Sequence, residues 1–279
     1  MQRFSSTVFP WLRAASAACA CLLAAASLGL APARATDLII VFPANIPPWT
    51  IEREDRGIAL DIMREALKPF GYTVIPSYYP LARFTSAMHS HKNVDGVAMV
   101  EGAKIKEKYY FYSEPTGTFD TRLISLKKDK FKLRKTEDLY PLSLVAFEDA
   151  NRVFASVDKI KHNNARYTES PNQASQVATL FLGRTNMILI DHAIFMYWKH
   201  ELDINNPRSG LHDTPRIDVS DELEYHDVDK ILGIHPNSPM QTLFRSAEVR
   251  DKFNEGLHRL KQSGQFEKIM AKYTAPLTP

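Results

Sequence analysis

The sequence predicts an α/β protein made of two half-size units, and three observations carry that prediction. Continuous apolar runs, Leu38 to Phe42, Val94 to Val100, Leu142 to Phe147 and Asn186 to Ile190, read as strands covered on both faces. Apolar residues at helical spacing lie between them. The order strand, helix, strand, helix, strand then occurs twice, once from about 38 to 100 and again from about 142 to 190.

Taken in chain order, the first element is a leader. Arg3 and Arg13 precede an uncharged run from Ala14 to Leu30, and Ala33-Arg34-Ala35 supplies small residues where signal peptidase needs them. Cleavage is expected after Ala35. An uncleaved anchor is the alternative, although a run of mostly Ala and Ser is marginal for spanning a bilayer. Cys19 and Cys21, the chain's two cysteines, both lie in this segment, outside the sequence context that lipoprotein processing requires. The exported chain would therefore have neither disulfides nor thiol chemistry.

After the first strand, Ile58, Ile62, Met63, Ala66, Leu67 and Phe70 recur at helical spacing, and Gly71 ends that helix. Leu81, Phe84 and Met88 mark a second helix, and Val177, Leu180 and Phe181 a third. Thr121 to Lys127 reads as a strand. The charged stretch Lys127 to Lys135 suits a crossing between units, and Leu223 to His235 an extended return. Ser238-Pro239 reads as cap and first-turn proline of a tail helix with Val249, Phe253, Leu257 and Leu260 on one face, continued by Phe266, Ile269, Met270 and Tyr273.

Composition removes several function classes. Of the 35 basic residues three lie in the leader, which leaves 32 against 32 acidic ones. A neutral chain without a basic tract argues against nucleic acid or anionic lipid as partner. About 244 residues suffice for a core without disulfides. There is no Gly-x-Ser-x-Gly, no nucleophilic cysteine and no histidine pair at zinc spacing with a third ligand, so neither a metal nor a cofactor is expected.

Six elements occur in a telling order: Asn45-Ile46-Pro47-Pro48-Trp49, Gly57-Ile58-Ala59-Leu60-Asp61-Ile62, Val94-Asp95-Gly96, Tyr112-Ser113-Glu114-Pro115, Leu182-Gly183-Arg184-Thr185-Asn186 through Asp191, and a tail with Phe253-Asn254-Glu255-Gly256-Leu257, Ser263-Gly264 and Lys272-Tyr273. Together they resemble the family 3 extracellular solute-binding proteins, the periplasmic receptors of polar amino-acid and related ABC importers. The resemblance spans nearly the whole exported chain. It implies a two-lobed periplasmic binding protein, a Venus flytrap, with 36–124 and 228–279 as lobe one, 125–227 as lobe two and two hinge strands. It also implies a small polar ligand, zwitterionic or amino-acid-like, that favours closure, and a monomer free in the periplasm that delivers to an inner-membrane ABC permease or a sensor. Ligand would sit beyond the carboxyl ends of the strands.

Five candidate ligand-binding residues follow. Trp49, held by two prolines, is placed to stack on a ligand, or else is a rim or core aromatic. Arg83 lies off the apolar stripe of its helix, and its planar guanidinium suits a carboxylate, unless it is a solvated helix charge. Glu101 comes just past the third strand. Arg152 and Asp149 stand where a strand of lobe two turns into a helix with N–H donors suited to an anion, and capping is the stronger account of Asp149. Asp191 follows the strand Asn186 to Ile190, where the resemblance places the carboxylate that receives a ligand ammonium; capping the next helix is the physical alternative. One departure matters. Amino-acid-binding members carry an Arg shortly after the third strand, and here stands Ala103-Lys104-Ile105-Lys106-Glu107-Lys108, with Lys106 a flexible point charge in place of the fork. Binding without catalysis is expected; an enzyme of the cyclic-acid dehydratase kind and a signalling receptor are the rivals.

Overall fold

Strand β1 (Thr36–Pro43) is buried from Ile40 to its end, as a run of Ile, Val and Phe requires where helices cover both faces of a sheet. The computed structural model describes residues 36–101, 110–204, 216–235 and 237–275, without the side chains of Ala82, His89 and Glu101. The expected leader lies outside the described residues.

Helix α1 (Ile58–Leu67) turns Ile58, Leu60, Ile62, Met63, Ala66 and Leu67 inward, and Gly71, at φ 78°, reverses the chain into β2 (Tyr72–Tyr79). The helix expected around Leu81 to Met88 is two one-turn pieces, α2 (Leu81–Phe84) and α3 (Ala87–Ser90), with Phe84 and Met88 still buried. There follow β3 (Gly96–Glu101), β4 (Phe111–Tyr112), β5 (Gly117–Phe119), β6 (Thr121–Leu126) and β7 (Leu144–Phe147). Next come α4 (Ala150–Val153), α5 (Ala155–Asn163), β8 (Tyr167–Ser170), α6 (Gln173–Phe181), β9 (Met187–Asp191) and α7 (His192–Leu202). The chain closes with β10 (Leu223–His226), α8 (Val228–Leu232), β11 (Ser238–Phe244), α9 (Ala247–Gln262) and α10 (Gln265–Thr274).

These strands form two sheets, one in each lobe. The first runs β2-β1-β3-β11-β4, with β5 also on β11; the second runs β10-β6-β9-β7-β8. Both are mixed. The pairs β1 with β3, β7 with β8 and β7 with β9 are parallel, as the strand-helix-strand order predicts. The strands next to the crossings, β6, β10 and β11, pair antiparallel. The chain changes sheet at Asp120 and returns between β10 and β11.

Three sequence expectations are corrected here. Ser238-Pro239 opens a strand and not the tail helix, because Pro239 sits opposite Thr118 at the start of β11 while Met240, Leu243 and Phe244 fill the core. Helix α9 instead opens at Ser246, whose hydroxyl accepts the Val249 N–H. Leu223 to His235 is extended only to His226, since Asp227 accepts the Lys230 N–H at 3.0 Å and starts α8. Lys127 to Lys135 is not the crossing: it begins as a short turn on the second sheet's side, where Lys127 pairs with Glu222 and Lys128 with Asp221.

The core follows the two-residue period of the strands. In β9, Met187 and Leu189 join one cluster with Leu123, Leu144 and Val157, while Ile188 and Ile190 join another. That second cluster runs on through Ile194 and Phe195 to Ile46, Trp49 and Ile51, so one apolar mass continues from lobe to lobe. The tail is fastened to α1: the Tyr273 hydroxyl donates to Asp61 at 2.7 Å and accepts the Gly57 N–H, and Lys272 pairs with Asp61. Gly256 lets α9 lie against α1, since a Cβ there would stand 1.9 Å from the Ala66 carbonyl oxygen.

Two outcomes follow. Gly256→Ala should lower stability by about 3 kcal/mol or more, read by urea unfolding, because backbone leaves no room to relax. His226, which shares a 2.9 Å hydrogen bond with Ser125 Oγ, has its pKa lowered by burial. Below pH 6.5, the ordinary histidine value, the unfolded chain takes up a proton that the native chain declines. Its stabilisation is thus complete above that pH and lost as pH falls through the lowered native value. In His226→Gln, the drop in melting temperature between pH 7 and pH 5 should be smaller than in the wild type, by differential scanning calorimetry.

Candidate functional site

Between the two sheets lies a cavity of about 380 Å³, a size suited to a small organic solute. Lobe one contributes Leu81 and Phe84 from α2, Met99 from β3 and Phe119 from β5; lobe two contributes Phe147, Arg152, Phe154, Gln173 and Asp191. Met99 owes its placement to backbone geometry. The register of β3 against β11 slips between Gln241 and Leu243, and Met99 takes φ 60°, a left-handed conformation uncommon for a residue with a side chain.

Asp191 is the best-connected polar group of the cleft. It ends β9, and Oδ1 accepts the Ile194 N–H at 3.1 Å, which caps α7. The same oxygen accepts Trp49 Nε1–H at 3.3 Å, and Oδ2 accepts the Asp120 N–H at 2.8 Å. One carboxylate thus joins lobe one, the crossing peptide and the helix of lobe two. Its pKa is raised by burial, against the pull of these three N–H groups and with a smaller upward push from the Asp120 carboxylate. Asp120 in turn pairs with Arg122 at 2.7 Å.

Trp49 does not line the cavity. It is 5% exposed, its ring meets Phe119 edge-on at 6.5 Å, and its N–H is spent on Asp191. Trp49 therefore stands behind the wall that Phe119 presents. The loop holding it is set by Gly57, where φ is 145° and a Cβ would fall 2.3 Å from the Trp49 carbonyl oxygen. Arg83 is exposed on α2 and does not line the cavity, although its neighbours Leu81 and Phe84 do. Arg152 lines it, but its side chain is 73% exposed and only loosely paired with Asp149 at 3.5 Å. The Glu101 side chain lies outside the described residues, as do 102–109, the segment that lacks the expected Arg.

The turn from β7 into α4 departs from expectation. Asp149 makes no capping bond; it sits at φ 65°, and its own N–H donates to Glu169 Oε2 at 3.0 Å. Glu169 Oε1 accepts the Asn151 N–H at 3.0 Å and the Tyr167 hydroxyl at 2.6 Å. Two of the amides expected to be free for an anion, those of Asp149 and Asn151, are held by an internal carboxylate. Sequence reading also passed over the aromatic wall, because Phe84, Phe147 and Phe154 look like ordinary core in a linear pattern. Gln173 was passed over too; its legible signal was a glutamine at the first position of an otherwise apolar helix, next to the Asn172 cap. Among the described residues no cluster of three or more His, Cys, Asp or Glu side chains is poised for a metal ion, and no helix is long and apolar enough to cross a membrane.

The family model described as bacterial extracellular solute-binding proteins, family 3, matches residues 38–276. Among curated proteins no sequence matches the chain. Among solved structures, a histidine kinase sensor domain with similarity to periplasmic binding proteins is similar at TM-score 0.64 and 17% identity, covering 86% of this chain and 96% of that one. An amino-acid ABC transporter substrate-binding protein from Streptococcus pneumoniae bound to L-arginine is similar at TM-score 0.63 and 13% identity, with 87% and 96% covered. The ligand-binding core of GluR0 from Nostoc punctiforme, in complex with L-glutamate, gives TM-score 0.60 and 17% identity, with 85% and 98% covered. At these identities the likeness is one of fold: two lobes around a cleft.

The junction at Asp191 makes a quantitative prediction. Asp191→Ala orphans three buried N–H groups and should cost about 3 kcal/mol in urea unfolding, whereas Trp49→Phe, which removes one donor, should cost about 1 kcal/mol. Equal costs would show that Asp191 does not serve all three donors together.

Proposed function

Because the chain belongs to the bacterial extracellular solute-binding proteins, family 3, we propose that it captures a small solute in the cavity between its lobes and delivers it to an ABC importer of the inner membrane. The observation that carries this reading is the cavity itself, about 380 Å³, walled from both sheets at the place where the chain crosses between them. A solute touching Phe119 and Met99 on one side and Phe147, Arg152 and Asp191 on the other gains both sets of contacts only when the lobes are together, so binding favours the closed form.

Export through the leader, with cleavage after Ala35, belongs to the same proposal. So does release of the solute unaltered. Within the cleft Asp191, and Arg152 with less of its surface committed, are the groups of the sequence reading placed to meet the solute; Trp49 acts through Asp191. Arg83 stays outside the cavity lining, and Glu101 is carried only as the last residue of the strand that supplies Met99 and Val100.

A second reading, delivery of the closed form to a signalling partner, is favoured by the similarity to a histidine kinase sensor domain. The two differ in partner and not in cleft chemistry.

A thermal-shift screen of amino acids, amines, polyamines, sugars and organic acids on the purified exported protein tests capture. A true ligand at a hundredfold excess over its dissociation constant should stabilise by about 2.7 kcal/mol, and small-angle scattering should show a smaller radius of gyration with it. Silence across the panel would remove the capture reading. Arg152→Ala should weaken an anionic or neutral ligand and leave the unliganded melting temperature within a degree or two, since its side chain is largely in solvent.

A further inference from the structure

Among the described residues the aromatic ones that line the cavity are Phe84, Phe119, Phe147 and Phe154, two from each lobe, and none is a Tyr or a Trp although the chain has 11 and 3 of these. Several aromatic residues with a polar handle are engaged within the fold instead: Trp49 donates to Asp191, Tyr78 to Asp55, Tyr167 to Glu169 and Tyr273 to Asp61. The rings left on the wall have nothing to donate. Phe147 and Phe154 meet edge-on at 6.2 Å with their planes 83° apart, so lobe two offers two rings at right angles. Phe119 and Leu81 stand on the lobe-one side, partly buried like Phe147 and Phe154.

Such a wall discriminates by the body of a solute. Hydroxyls laid against phenylalanine lose their water and gain no hydrogen bond, a net cost. An aryl or branched-alkyl group gains there by leaving water, and a phenyl-sized group fully buried is favoured by about tenfold to a hundredfold in affinity. Two rings at right angles can meet such a group with a face and an edge, both favourable for an aromatic partner. The cavity, about 380 Å³, has room for a body of that size with its head group.

We propose that the cleft selects a small solute with an aryl or branched-alkyl body seated against Phe147 and Phe154, and that it discriminates against sugars and other polyols. The proposal rests on the capture reading and names the class of solute by its body. The charge of the head group does not enter, because Lys104, Lys106 and Lys108 lie outside the described residues.

Three series, each with a constant head group, test it by thermal shift and titration calorimetry on the exported protein: L-phenylalanine and L-leucine against L-alanine, 3-phenylpropionate against propionate, and phenethylamine against ethylamine. In at least one series the member with the apolar body should bind at least tenfold more tightly than the short one, with a more negative heat-capacity change. Phe147→Ala should shrink that preference at least threefold, read as a ratio within the series so that a general loss of stability cancels. The heat-capacity difference decides the matter on the wild type even if this variant does not fold. Long and short members binding equally, a sugar or polyol binding more tightly than either, or a preference unchanged in Phe147→Ala would each overturn the proposal. If a sugar, polyamine or polar amino acid from the wider panel stabilises the protein while all three series are silent, this proposal fails and capture stands; if nothing does, both fail.

Discussion

The carboxylate of Asp191 is the point at which the two lobes and the crossing between them meet. Three N–H donors converge on it: Trp49 Nε1 from lobe one, the Asp120 amide at the crossing and the Ile194 amide at the start of α7. A charge removed from water in this way persists only if its oxygens are hydrogen-bonded, which is why the loop carrying Trp49 has to reach it. Gly57 makes that loop possible, and Tyr273 from the tail holds Gly57 in place through its hydroxyl. The apolar mass continuing from Ile46 and Trp49 to Ile194 and Phe195 closes the region behind this bond. The cavity is what remains in front of it.

That arrangement divides labour among residues of similar chemistry. Asp191 spends its oxygens on the fold while still contributing to the cavity wall. Glu169, on the edge strand β8, likewise spends its oxygens on the fold, taking the Asp149 and Asn151 amides and the Tyr167 hydroxyl. Among the described residues the amide oxygens of Gln173 and Gln176 on α6 are buried without a hydrogen-bond partner. The chemistry of the cleft is set as much by which acceptors are already taken as by which residues are present.

Much of the architecture was legible in the residues. Continuous apolar runs became central strands, and α1 and α9 bury the faces their spacing marks. The misread pieces share a cause. Ser238-Pro239 has the local chemistry of a helix start, yet its partner across the sheet is β5, far back in the chain. Lys127 to Lys135 looks like a connector because it is charged, but the connection is made at Asp120 by the change of sheet, which leaves no mark in composition. At the site, Asp191 and Arg152 reached the cavity lining; Trp49 and Arg83 did not. Their residue types were informative and their surroundings were not available to a linear pattern.

The sequence alone determined the two strand-helix units, the neutral charge balance of residues 36–279 and the order of motifs that marks its family, because each depends on local spacing or on composition. The tertiary structure alone decided which donors Asp191 and Glu169 absorb and that Trp49 stands behind Phe119. Those outcomes depend on groups brought within hydrogen-bonding distance from positions far apart in the chain, and at that range a partner already satisfied inside the fold is no longer free to bind anything else.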